Sequence, residues 1–396
     1  MSLPSLNFAP GPKHSRSPDW QVPLSELSYT DDEIRCVVEV LRSGWWTCGP
    51  ETEALEREFE RHFGIRHAIA VSSGTAALHL AFRALALSDG DEVVMPALNF
   101  VAAANTALQM GSTPRFADTD SIHEPVVSAR TLDQAITPKT RGICVMHYGG
   151  YPCSMDSIMD LARSRNLWVV EDAAHAPGAA WKGIPCGRWG DISCFSFFGN
   201  KNISCAEGGM VTTENDALAK KIRLLRSHGM DSLTWDRFRG HSFSYDVAVA
   251  GLNCRLDDIR AALLRVQLRS LNRFNRLREE CVHWYRQMLG KDSRWIIPFT
   301  DYPGTPAYHL FPVVLGEDIR RTDVMRYLKT KGIQSSVHYP PIHRFTCYQN
   351  LLPPQADLKN TDDLGRRILS LPLFPNMTHE QVKCVCDCFR DAVAIG

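Results

Sequence analysis

Neither sign of charge is in excess in this 396-residue chain: Lys plus Arg and Asp plus Glu each number 44. A basic surface that coats nucleic acid or settles on anionic lipid is therefore excluded as the main activity. No apolar run approaches the roughly 18 residues a membrane-spanning helix needs, and the Pro- and Ser-rich start, MSLPSLNFAPGPKHSRSPDW, lacks an apolar signal core. The expectation is a cytoplasmic protein with no nucleic-acid or membrane partner. Thirteen cysteines are an odd number at irregular spacing, which excludes a disulfide framework in a chain of this length. Cys384, Cys386 and Cys388 alternate rather than follow a C-x-x-C spacing, so they read as part of a core helix, and no metal site is expected. Also missing are G-x-G-x-x-G after a strand, a Walker loop, H-E-x-x-H and G-x-S-x-G, which weakens dehydrogenase, NTPase, zinc-protease and α/β-hydrolase readings.

The chain is long enough for two or three domains. Residues 1–22 read as an extended arm, and 23–254 as a large α/β domain. Residues 255–290 read as a connecting helix, and 291–396 as a smaller α+β domain. Helices are expected from near Thr30 to Gly44 and over ETEALEREFERHF to Gly64, both glycines acting as stops. From residue 67 to about 213, strand-like runs (AIAVSS, EVVMPA, TPRFAD, GICVMHY, NLWVVED, ISCFSFF, GMVTT) alternate with helical ones. That pattern predicts a mostly parallel sheet with helices on both faces. Ligands of such sheets bind beyond the carboxyl ends of the strands, so the residues there carry the functional reading.

Ser-Ser-Gly-Thr at 72–75 joins a strand to a helix. Gly74 permits the tight turn, and the amides of Gly74 and Thr75 at a helix start suit a phosphate. Asp172 ends a strand ahead of small residues. Ser196 lies in the next strand, with Lys201 just beyond it, between apolar FSFF and Gly-bearing AEGGM. Burial lowers a lysine pKa, as an imine-forming amine requires. Phosphate cradle, carboxylate and lysine together describe a pyridoxal phosphate (PLP) site. Lys201 forms the Schiff base, Asp172 keeps the pyridine nitrogen protonated, and Phe100 stacks on the ring.

These residues resemble the DegT/DnrJ/EryC1/StrS sugar aminotransferases, which are fold-type I PLP enzymes. The resemblance runs from SGWWTCGPETEALEREF through HAIAVSSGTAALHLA, HYGGYP, VVEDAAHAPGA, FSFFGNKNISCAEGGMVTT, LLRSHGM and GLNCRLDDIRAALLRVQL to VHYPPIH and LSLPLFP. It implies a homodimer with shared active sites that aminates keto sugars on nucleotides, with glutamate as donor. It implies Lys201 as Schiff-base lysine and proton shuttle, and Gly74, Thr75 and Ser196 as phosphate ligands. Asn253 is implied to reach the phosphate from the partner subunit. His175 stands where the family often has glutamine contacting the ring hydroxyl, a hydrogen bond histidine can also donate. AEGGM resembles the branch that aminates sugar C4, whereas the C3 branch tends to read GDGG. The expected substrate is a 4-keto-6-deoxyhexose on a nucleotide, with thymidine diphosphate (TDP) the first guess. A 3-keto sugar, a keto-cyclitol such as an inosose, or a non-catalytic PLP-binding regulator are the alternatives.

In VHYPPIHR, the two prolines prevent a helix from placing His338 and His343 on one face. A loop lining the sugar site is expected, with His338 and Tyr339 as substrate residues, against a purely structural loop. Tyr148 and Tyr151 read as turn residues. Trp45 and Trp46 read either as the edge of the site or as anchors for the arm.

Overall fold

The computed structural model describes residues 20–232, 235, 240, 244–352 and 357–395. Most of the expected arm, residues 1–19, lies outside these. Helix α1 (Asp31–Ser43) opens with a reciprocal cap: the Glu33 carboxylate accepts from Thr30 N and Oγ1 at 2.8 and 2.7 Å, and Thr30 Oγ1 accepts from Asp32 N. It stops at Gly44, whose φ of 75° suits a residue without Cβ. Helix α2 (Pro50–Phe63) has only Gly49 at its N-cap and no cap of its own. Asp258 supplies one from 200 residues away, accepting from the amides of Gly49, Glu51 and Thr52 and from Thr52 Oγ1 at 2.7–3.1 Å.

Strand and helix then alternate as β1 (His67–Val71), α3 (Gly74–Ala84), β2 (Glu92–Pro96), α4 (Ala102–Gln109), β3 (Thr113–Ala117), α5 (Ala129–Asp133), β4 (Thr140–Met146), α6 (Met155–Arg165) and β5 (Trp168–Asp172). A short hairpin, β6 (Ala180–Trp181) and β7 (Ile184–Pro185), leads to β8 (Ile192–Ser196), β9 (Gly209–Thr213) and α7 (Asp216–Arg226). The seven strands form one sheet in the order β1-β9-β8-β5-β4-β2-β3. Only β9 runs antiparallel, pairing with both β1 and β8. The other six therefore deliver their carboxyl ends to one side. All seven expected strands are present, with ends that differ from the expected ones by no more than two residues.

The 32-residue helix α8 (Asp258–Leu289) bridges two cores. Its first half packs Leu264, Leu268 and Leu271 with Phe59, Phe195 and Phe197 on one face of the large sheet. Its second half packs Cys281, Val282 and Tyr285 against a smaller antiparallel sheet of β10 (Trp295–Ile296), β11 (Phe311–Leu315) and β12 (Ile368–Leu371). Helix α9 (Arg321–Thr330) lies beside that sheet, α10 (Thr346–Leu351) returns to the large sheet with Tyr348 edge-on to Phe116, and α11 (Lys359–Arg367) and α12 (His379–Ile395) come back to the small one. On α12, Cys386 is buried while Cys384 and Cys388 are half-buried. Burying each large side chain contributes roughly 1.5–3 kcal/mol, so α8 binds both sheets into a common frame. No helix among the described residues is long and apolar enough to cross a membrane.

Candidate active site

The parallel strands bring the sequence-predicted residues to one rim. Asp172 ends β5 and pairs with Cys194 of β8, two residues before Ser196, the end of that strand. Beyond Ser196 the chain makes a compact loop: Phe197 N donates to Gly208 O, and Cys205 N donates to Phe197 O. Lys201 sits at its turn, its amide bonded to Phe198 O at 2.9 Å. Burial lowers the Lys201 amine to about 8, while Asp172 opposes the shift by favouring the charged form. Burial raises the Asp172 carboxyl, and the Ala174 amide and Lys201 hold it down. Each thus answers the other's charge inside the same low-dielectric pocket.

The turn after β1 is shaped by close backbone approach. Ser73 caps α3, its Oγ accepting from Ala76 N at 3.1 Å, and Gly74 and Thr75 supply the first amides of that helix. A Cβ on Gly74 would lie 2.9 Å from Ser196 Cβ, and one on Gly209 would lie 2.4 Å from Ser73 O. Glycine at both places lets the helix start, the end of β8 and the AEGGM segment meet. Ser196 Oγ is thereby placed beside helical N–H groups, the setting that suits a phosphate.

His175 is buried behind this rim. Its Nε2 meets Tyr339 Oη at 3.0 Å, and its buried Nδ1 has no hydrogen-bond partner. Burial, with Lys201 and His338 nearby, holds it well below the usual histidine range, so it is neutral. With Nδ1 protonated, Nε2 accepts from the Tyr339 hydroxyl and one N–H remains to give. Phe100 is 54% exposed, with its ring 6.0 Å from that of Tyr339.

The VHYPPIHR segment divides. His338 is pushed down to about 4 by burial and then by Lys201, which brings it to the site with Tyr339. Its Nδ1 meets Ser370 Oγ at 2.9 Å. His343 instead bonds Asp362 at 2.9 Å, alongside Arg344. Tyr148, read from sequence as a turn residue, has a further part: its hydroxyl donates to the His338 carbonyl. Tyr151 stacks on Phe299 with ring centroids 4.0 Å apart. Trp45 packs on Trp235 at 4.6 Å, and Trp46 is 52% exposed with its Nε1 bonded to Leu41 O.

Asn253 is exposed and forms a bridge with Ser227, while its neighbour Cys254 accepts from Ser72 N at 2.9 Å. Three further residues escaped the sequence reading: buried Asn202 and His309 and half-buried Asn275, a hydrogen-bonded group next to Lys201. Asn202 and His309 lie in the runs FSFFGNKN and AYHLFPVVL, but only the fold shows that they meet.

Among the described residues, one group has the makings of a metal site: ligand atoms of His147, Glu171 and Cys186 lie within 4.8 Å of one another. The lone pairs of Glu171 and His147 are already committed. Glu171 accepts from the amides of Gly187, Trp189 and Gly190, from Ser193 Oγ and from His147 Nε2. His147 Nδ1 accepts from Cys153 N at 3.1 Å. The group is a brace under the ends of β4 and β5.

A model of the DegT/DnrJ/EryC1/StrS aminotransferase family matches residues 28–390. The chain belongs to that family. It is 38% identical over 368 residues to the spore coat polysaccharide biosynthesis protein SpsC of Bacillus subtilis, covering 91% of this chain and 94% of that one. Helicobacter pylori PseC, an aminotransferase involved in the biosynthesis of pseudoaminic acid, superposes with a TM-score of 0.89 at 27% identity, over 95% of this chain and all of that one. Spr1654 of Streptococcus pneumoniae in its PLP form superposes with a TM-score of 0.86 at 29% identity, over 94% of this chain and 99% of that one. The protein is thus a PLP-dependent sugar aminotransferase with the fold of that class. The residues of the rim fit the cofactor: a buried carboxylate, an amine of lowered basicity, a glycine-built helix start and a neutral histidine with an unused N–H.

Proposed function

We propose that this aminotransferase converts a nucleotide-linked 4-keto-6-deoxyhexose, with TDP as carrier, to the 4-amino-4,6-dideoxy sugar, using glutamate as donor. The observation that carries the reading is the placing of Lys201 and Asp172 in one buried pocket at the sheet rim, the lysine lowered to about 8 by burial against the opposing charge of Asp172. A substantial fraction of the amine is then uncharged at mildly alkaline pH, as a group that binds a carbonyl and moves protons requires. Bound there, PLP supplies an electron sink for the carbon that carries the amino group. Lys201 holds the cofactor, takes the proton from the donor α-carbon and returns one to sugar C4. Asp172 holds the ring nitrogen, and His175 donates to the ring hydroxyl. Gly74, Thr75 and Ser196 hold the phosphate, Phe100 stacks, and His338 and Tyr339 line the sugar.

The sequence AEGGM at 206–210 supports amination at C4. The names of the relatives, with spore coat polysaccharide and pseudoaminic acid biosynthesis in them, support a product used in surface sugars. A homodimer in the cytoplasm is part of this reading. Tyr245, Val247 and Leu252 are each about half-exposed (48–57%) close to Asn253, and apolar groups gathered in this way suit cover by a second copy. Asn253 then reaches the phosphate of the neighbouring subunit.

The test is the visible absorbance of the purified protein with PLP, first alone, then with glutamate, then with TDP-4-keto-6-deoxyglucose. A band that glutamate discharges and the sugar restores is expected. Discharge without restoration would move the substrate to another carrier, a 3-keto sugar or an inosose. A band that glutamate leaves unchanged would indicate a PLP-binding regulator.

A further inference from the structure

Asn202, next to Lys201, is almost fully buried, and all of its side-chain hydrogen bonds to protein are made. Its Nδ2 donates to Asn275 Oδ1 of α8 at 2.8 Å and to Ala307 O at 2.6 Å. Its Oδ1 meets His309 Nδ1 at 2.9 Å. The amide orientation is fixed by its neighbours. Asn275 uses its own Nδ2 on Pro177 O at 2.9 Å, so its Oδ1 faces Asn202. Ala307 offers a carbonyl. Turning the Asn202 amide over would set oxygen against two oxygens, so its Oδ1 can only accept, and His309 Nδ1 carries a proton. The group encloses the loop that bears His175. A Cβ on Gly178 would lie 2.6 Å from Asn275 Nδ2. Ala307 N and His309 N donate to Gly150 O and Gly149 O, both at 2.8 Å. The His309 ring lies 4.2 Å from that of His175.

We propose that Asn202 is a positioning residue for Lys201: its amide ties the lysine turn to the long helix and to residues 307–309, and holds His309 as the neutral, Nδ1-protonated ring packed at a tilt against His175. This rests on the reading of Lys201 as the cofactor-binding amine and goes beyond it by assigning what keeps that amine in place. The surroundings show why neutrality matters. Lys201, His175, His338 and Arg278 all bear on His309, and Arg278 donates to Leu373 O at 2.9 Å with no carboxylate partner among the described residues. Asp172 is the carboxylate that faces Lys201. A second proton on His309 would add a cation to a cluster already short of anions, directly beneath the ring that serves the cofactor. A carbonyl-accepting asparagine prevents this, whereas an aspartate would attract that proton.

The experiment needs no turnover. Competitive acetylation of the apo protein across pH reads the titration of Lys201, and ¹⁵N spectra of its histidines read the His309 tautomer. In the wild type, half-titration near pH 8 and a neutral Nδ1–H ring are expected. In Asn202→Ala the Lys201 midpoint rises by about one pH unit, a tenfold change in proton affinity. In Asn202→Asp the His309 ring becomes doubly protonated. With PLP bound, glutamate discharge of the visible band slows roughly 100-fold in Asn202→Ala, as a misplacement of about 1 Å can cause, while the KM for glutamate moves less. His309→Asn, whose amide presents an N–H in place of Nδ1, recovers most of the rate lost in His309→Ala. A wild-type acetylation profile and discharge rate in Asn202→Ala, with only the melting temperature lowered, would overturn the proposal. So would a neutral His309 in Asn202→Asp. Failure of the underlying reading looks different: the visible band would survive in Lys201→Ala.

Discussion

Glu171 and Asp172 are neighbours on β5, both buried, and the pleat of the strand sends them to opposite faces of the sheet. Glu171 meets five donors, and although burial alone would raise its carboxyl, His147, the Gly190 amide and Ser193 pull it below the ordinary range. Asp172 accepts one protein hydrogen bond, from Ala174 N at 3.1 Å, and its carboxyl is raised. The same chemistry is thus spent in two ways. On one face a carboxylate whose needs are met holds β5, the end of β4 and the 187–193 segment together. On the other, a carboxylate is left short of donors beside an amine of lowered basicity. A buried charge whose partners are incomplete in the protein is where a ligand completes them.

The contrast predicts that damage on the two faces will appear in different measurements. The largest effect belongs to Lys201, on the Asp172 side. Lys201→Ala removes both the anchor and the proton carrier, and should slow the glutamate half-reaction by at least about 10²–10⁴-fold and abolish the lysine-dependent visible band. Asp172→Asn removes a charge-assisted hydrogen bond worth roughly 1.5–3 kcal/mol, which corresponds to about 10–100-fold in that rate with little change in melting temperature. Glu171→Gln should do the reverse. Breaking a buried charged network costs about 3–5 kcal/mol of stability, visible in denaturant midpoints, while whatever remains folded reacts at nearly the wild-type rate. A Glu171→Gln protein of normal stability and lost activity would erase the distinction.

Much of this division was legible in the sequence, and the illegible part has a physical cause. The order of strands and helices, the stops at Gly44 and Gly64, and Asp172, Ser196 and Lys201 at strand ends follow from period, turn chemistry and the geometry of parallel sheets. The family motifs add the expectations at His175 and Asn253. What stayed hidden depends on contacts between distant segments. Asp258 caps a helix that begins near residue 50. Tyr148 bonds the backbone at His338, and Asn202 meets Asn275 and His309. Short elements such as β10 and α10 carry too few residues for a period to show. Strand-end placement picked out Asp172, but the structural part of Glu171 was hidden, because its five donors come together only in three dimensions.

A smaller effect concerns pH. His338 has its folded-state value pushed down to about 4, and burial moves His175 and His309 in the same direction. The unfolded chain therefore binds more protons than the folded one below about pH 6.5, and stability falls as pH drops from there toward 4. Melting temperature should decline across that window in the wild type, and less steeply in His338→Asn. An unchanged slope would mean that His338 is not held neutral beside Lys201.

The smallest effect separates two histidines of one motif. His338 and His343 are five residues apart in VHYPPIHR, yet only His338 reaches the lysine. His343 is committed to Asp362, which keeps Arg344 as a second partner if the imidazole is lost. A partly exposed pair of this kind is worth about 0–1 kcal/mol. His343→Ala should therefore lower stability by no more than about that amount and leave the glutamate and sugar half-reactions within about twofold of wild type. The same substitution at His338 removes a side chain from the pocket, and should change the sugar half-reaction more than the glutamate one. If the two variants behaved alike in both half-reactions, the motif would act as one structural loop, and the place given to His338 at the sugar would be lost.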